Sequence, residues 1–138
     1  MKNISFSILI VFASTICTIG QDWSQWRGVE RQGIWHEDGI IDQFPDDGLN
    51  VKWRVPIGSG YAGPAVANGR VFVLDWTEDA SSRTLDGTER LLVLDEETGG
   101  ELWTAEWQTS YRALMGSYAI GPRATPTVDG DSVFVVGA

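Results

Sequence analysis

From residue 64 onward, apolar residues alternate with polar ones or run together in short blocks, and Gly, Asn and Asp bound each block. Val66-Ala67 and Val71–Asp75 flank Asn68-Gly69, while Leu91–Asp95 and Glu101–Trp107 flank Glu96-Glu97-Thr98-Gly99-Gly100. The pattern predicts four short strands, at about 64–67, 70–75, 90–95 and 101–107. Asn-Gly between two such runs is a hairpin signal, because both residues tolerate positive φ. No segment longer than a turn or two carries the 3.6-residue period of a helix, so the mature chain is expected to be all-β.

The same pattern recurs. Pro64, Val66, Val71, Phe72 and Val73 match Pro126, Val128, Val133, Phe134 and Val135, each 62 positions further on. Val51-Lys52-Trp53 is echoed by Glu101-Leu102-Trp103 at a spacing of 50, so an insertion lies between Trp103 and Pro126. Four antiparallel strands per repeat of about 40–50 residues make the blade of a β-propeller. A closed ring needs about 4–8 blades and this chain holds about two, so it is expected to be an N-terminal fragment of a longer protein, with about 7–8 blades when complete. On this reading residues 64–107 are one blade. Residues 21–63 are a leader with the first strands closing the ring, and 108–138 are a long loop and the truncated start of the next blade. The 16 Gly and 7 Trp suit short strands joined by tight turns that each pack a large ring.

Residues 1–20 resemble a signal peptide. Lys2 is followed by an apolar run from Ile4 to Ala13, and small residues at Thr18 and Gly20 precede the polar start Gln21-Asp22. The run is too short to span a bilayer, so the mature chain is expected to be exported, periplasmic or extracellular, with no transmembrane helix. A lipoprotein signal would place a small residue before the acylated Cys, and Ile16 stands before Cys17, so Cys17 is expected to leave with the signal. The mature chain then has no cysteine, which excludes disulfides, thiol catalysis and Cys-ligated zinc within it. Removing Lys2 takes the net charge from −9 to −10. An acidic chain without a basic cluster repels phosphate backbones, so nucleic acid is not an expected partner.

Asp95, Thr98, Gly99 and Trp103 form an Asp, a Thr-Gly pair and then a Trp four residues on. This run resembles the motif of the PQQ-like repeat β-propellers, with Val93 where the motif often opens on a small residue. Asp22-Trp23-Ser24-Gln25-Trp26-Arg27-Gly28 is similar to the leader of exported members. The motif also has a mechanical reading. Asp95 and Thr98 accept hydrogen bonds from turn amides, Gly99 takes the positive φ that closes the turn, and Trp103 stacks between blades with its N–H on a carbonyl. The four residues are therefore read as structural. The resemblance implies two functions. Some members are quinoprotein dehydrogenases that bind pyrroloquinoline quinone and calcium and oxidise alcohols or sugars. Others lack a cofactor, such as the scaffold lipoprotein of outer-membrane β-barrel assembly. Fold does not choose between them. The expected function is a binding or assembly scaffold with no catalytic site in this stretch, and the alternative is a quinone- and calcium-dependent oxidoreductase. A carbohydrate-active enzyme would need paired carboxylates, for which Asp79, Asp86 and Glu89 are available, though a solvated acidic loop is the simpler account.

In an up-and-down blade the two long connections, 76–89 and 108–123, share one end, opposite the tight turns at Asn68-Gly69 and Glu97–Gly100. Binding is expected at the long-loop end, with a protein or glycan as partner. Tyr111, Arg112, Tyr118 and Arg123 are the candidate residues, because Arg and Tyr together hold carboxylates, sugars or protein surfaces. No metal or catalytic set is identified. His36-Glu37-Asp38 contains the chain's one His and lacks metal-ligand spacing. Asp42, Asp46 and Asp47 do not follow a calcium loop.

Overall fold

The computed structural model describes residues 20–37, 39–112 and 120–138. Residues 1–19, with Cys17 and nearly all of the segment expected to be a signal peptide, and also Asp38 and Tyr118, lie outside the described residues. The chain is all-β. Strands β1 (Ala65–Ala67), β2 (Arg70–Glu78), β3 (Asp86–Asp95) and β4 (Glu101–Ser110) form one antiparallel sheet in sequence order. Strands β5 (Thr127–Asp129) and β6 (Ser132–Phe134) form a separate hairpin. Among the described residues the helical content is a single irregular turn at Val29–Arg31.

Alternation sorts the sheet into two faces. Ala65, Ala67, Phe72, Leu74, Leu91 and Val93 point to one side, where Val128, Val133 and Val135 of the second hairpin cover them. Val71, Leu92 and Leu94 point to the other, where Trp53 and Val55 cover them. The sheet is thus a middle layer, which explains the unbroken run Leu91-Leu92-Val93-Leu94. A strand covered on both faces has no polar side.

The β1–β2 hairpin turns at Asn68 (φ 54) and Gly69 (φ 70), both in the left-handed region that a two-residue turn of this hand requires. On its outer edge β1 meets the leader. Trp23 and Val66 exchange two backbone hydrogen bonds of 2.7 and 3.0 Å, and the Ser24 carbonyl accepts from Val128 N–H at 2.8 Å. Val66 and Val128 are repeat mates, so one extended stretch closes the open edge at the same place in both units.

The strands outrun their expected ends. β2 continues to Glu78 and β3 begins at Asp86, so the connection expected over 76–89 is only 79–85. The reason is cross-strand pairing: Trp76↔Glu89, Thr77↔Thr88 and Glu78↔Gly87 continue the ladder through residues whose polarity looks loop-like. The short loop is held by its own carboxylates. Ser81 N–H donates to Asp79 Oδ1 (2.8 Å), and the Thr84 hydroxyl donates to Asp86 Oδ2 (2.6 Å). β4 likewise runs to Ser110, so the second connection starts at residue 111 rather than 108. The tight turns sit at one end, where Glu96 N–H donates to the Gly69 carbonyl at 3.1 Å. The longer connections meet at the other, where Tyr111 N–H donates to the Leu85 carbonyl at 2.9 Å.

Beyond Phe72 the free edge of β2 is taken by Ser59, which exchanges two 2.8 Å bonds with Trp76. Beside it Asp75, 1% exposed, accepts from Arg90 Nε (3.0 Å) and Nη2 (2.7 Å) and from Gly58 N–H (2.5 Å). A bidentate guanidinium with a backbone donor satisfies this buried carboxylate.

Candidate functional site

At the turn end, Asp95 Oδ1 accepts from Glu97 N–H (3.1 Å), Thr98 N–H (2.8 Å) and the Thr98 hydroxyl (2.7 Å). Thr98 Oγ1 in turn accepts from Gly100 N–H (3.2 Å), and Gly99 has φ 70. The expected turn chemistry of Asp95, Thr98 and Gly99 is therefore present. The ring seated on this turn is that of Trp53. Trp53 donates its Nε1–H to the Glu96 carbonyl at 2.8 Å, and its indole lies on Gly99, where an added Cβ would fall 2.7 Å from the ring. Trp103 is 42% exposed, beside Asn68, Phe72, Val128 and Val133. Trp53 belongs to the echo of the Trp103 segment, so the Trp of one unit stacks on the turn of the following one.

The Thr98 hydroxyl and amide hold the Asp95 carboxyl below the usual carboxylate range. A lowered pKa means that this stabilisation is complete above the ordinary range and is lost as pH falls through the folded value. Asp95→Asn keeps the acceptor oxygen and removes the titration. Thermal melts between about pH 6 and pH 3 should show a shallower loss of stability in the variant than in the parent chain. Parallel curves would remove Asp95 from the acid response.

At the loop end, the structure brings together residues that the sequence had placed apart. Glu89, 0% exposed, accepts from the Trp107 indole Nε1–H (2.7 Å), the Tyr111 hydroxyl and the Ala138 backbone N–H (3.1 Å). Burial, together with the Glu89 carboxylate, pushes the Tyr111 phenol up, so it stays a donor. Trp76 meets Tyr111 edge-on, with ring centroids 5.3 Å apart. Glu89 is thus no part of a solvated acidic loop: it pairs with Trp76 within the ladder and joins β3, β4 and the residues after β6. Its inward parity follows from alternation, since Glu89, Leu91 and Val93 share a face. That was the one signal in the sequence that pointed to it.

Of the four candidate binding residues, Tyr111 is an interior anchor and Arg112 is exposed. Arg123 lies over the Tyr61 ring at 5.9 Å, and Tyr118 is outside the described residues. Tyr111 and Arg123 both line a hollow of about 280 Å3, with Gly121, Pro122, Ala124 and Val136–Ala138.

Among the described residues no three His, Cys, Asp or Glu side chains are placed to hold a metal ion, and no helix is long and apolar enough to cross a membrane. The two buried carboxylates, Asp75 and Glu89, are already engaged by Arg90 and by the Tyr111–Trp107 pair. They do not fit a calcium and quinone site. Comparisons with family models, with curated proteins and with solved structures found no match.

Proposed function

We propose that this chain is the N-terminal part of an exported β-propeller of PQQ-like repeats, and that its loop end serves as a binding or assembly scaffold for a protein or glycan. The observation that carries the repeat reading is the Trp53–Gly99 contact. A Trp from one copy of the repeated segment is seated on the turn of the next, with its N–H on the Glu96 carbonyl. The two covered faces agree with it. One face of the sheet carries the Trp53–Val55 segment and the other carries the repeat mates of β1 and β2. Export rests on the pattern of residues 1–20. The scaffold role rests on a loop end whose buried acids serve packing, while Arg112 and Arg123 stand at the surface.

The discriminating experiment uses the full-length exported protein with pyrroloquinoline quinone and calcium. No calcium-dependent uptake in the absorption spectrum and no dye-linked oxidation of alcohols or sugars are expected. Tight uptake with turnover would replace the scaffold by a quinoprotein dehydrogenase.

A further inference from the structure

Carried back from Pro64 and Pro126, the 62-residue spacing aligns Gly60-Tyr61-Ala62-Gly63-Pro64 with Pro122-Arg123-Ala124-Thr125-Pro126. In the fold these two loops touch. Tyr61 N–H and Ala62 N–H both donate to the Pro122 carbonyl, at 2.8 and 3.1 Å. The Arg123 guanidinium lies over the Tyr61 ring. Gly121 fits so closely that a Cβ there would stand 2.6 Å from the Ser59 carbonyl oxygen. Two successive amides converging on one oxygen make a small concave nest for a partial negative charge.

The joint has a direction. The first loop supplies the amide pair and a flat side chain at position 61. The second supplies the carbonyl at 122 and the side chain at 123. The second loop repeats the donor half of the first, since Arg123 and Ala124 stand where Tyr61 and Ala62 stand. Both line the 280 Å3 hollow, whose other wall is Val136 with the small residues Gly137 and Ala138. Small residues there admit the close approach of another backbone.

We propose that the Arg123–Ala124 wall is the docking site for a third loop of the same kind, from a following repeat of the same polypeptide. That loop presents a backbone carbonyl to the Ala124 amide and lays its next side chain against the Arg123 guanidinium. Each repeat would then grip its successor at the loop end through a paired-amide joint, separate from the Trp contact at the turn end. The inference rests on the repeat reading above, and it names what the loop end holds on to.

Residue-resolved amide hydrogen exchange on the full-length exported protein tests it. Tyr61, Ala62 and Ala124 should all exchange slowly, with Ala124 within about tenfold of Ala62. Arg123→Ala should speed exchange at both joints, because Arg123 faces both. Fast exchange at Ala124 beside slow Tyr61 and Ala62 overturns the inference and leaves the repeat reading intact. Protection of Ala124 that disappears on dilution also overturns it, since a second copy would then be the occupant. A longer sequence with no third loop of this pattern would overturn both together.

Discussion

Glu89→Ala should destabilise the chain by about 3–5 kcal/mol, because it takes a shared acceptor away from donors that have no other partner in the fold. Three donors converge on this carboxylate: the Tyr111 hydroxyl, the Trp107 indole and the Ala138 amide. Removing it orphans the buried Tyr111 hydroxyl and the half-buried Trp107 indole, each at a cost of about 1–3 kcal/mol, while the Ala138 amide belongs to an exposed residue and can turn to water. The loss is read as a lower urea midpoint at unchanged slope. Glu89→Gln keeps the shape and one acceptor oxygen but turns an NH2 group toward a donor, so its cost should be smaller, about 1–3 kcal/mol. Tyr111→Phe supplies the control. If the donors are the reason, Glu89→Ala costs less in the Tyr111→Phe background than in the parent chain, because one stranded donor is already gone. A cost for Glu89→Ala within about 0.5 kcal/mol of zero, the ordinary surface range, would end the assignment of Glu89 as an interior hub.

The second large effect separates two tryptophans that hold equivalent places in the repeat. Trp53→Ala should cost about 2–4 kcal/mol. Full Trp truncation in a core costs about 3–5 kcal/mol, and Trp53 is only partly buried. It loses both the contact with Gly99 and the Nε1–H bond to the Glu96 carbonyl. Trp103→Ala should cost no more than about 1 kcal/mol, since that ring is 42% exposed. Gly99→Ala tests the same contact from the other side. It forces a Cβ into the left-handed region and into the Trp53 ring. Its cost should shrink when Trp53 is already Ala, leaving only the backbone part, about 1–2 kcal/mol. Equal losses for Trp53→Ala and Trp103→Ala would show that the turn is not the seat of either ring.

Together the two effects divide the molecule into two ends with different jobs. At the turn end, local chemistry shapes the backbone and one ring from the neighbouring unit seals it. At the loop end a buried carboxylate gathers β3, β4 and the segment after β6, and the exposed cations stand outside it. Substitutions at Arg112 should therefore leave folding unchanged and report on binding alone, whereas substitutions at Tyr111 will report on folding first.

What the sequence determined by itself is what local chemistry controls. Asn68-Gly69 turns because both residues accept positive φ. Asp95, Thr98 and Gly99 close a turn because a carboxylate and a hydroxyl reach amides two or three residues away. The strands, their antiparallel order and the repeat follow from alternation and spacing. What only the tertiary structure decided is the fate of residues whose partners are remote in the chain. Glu89 and Asp79 look alike in sequence, yet one is interior and the other in a surface turn, because Glu89 meets donors 18, 22 and 49 residues away. Trp53 and Trp103 sit in matching segments, yet only Trp53 meets a Thr-Gly turn among the described residues. Burying a charge or an indole is favourable only where the fold delivers partners for it, and such partners come from chain crossings that no local pattern encodes.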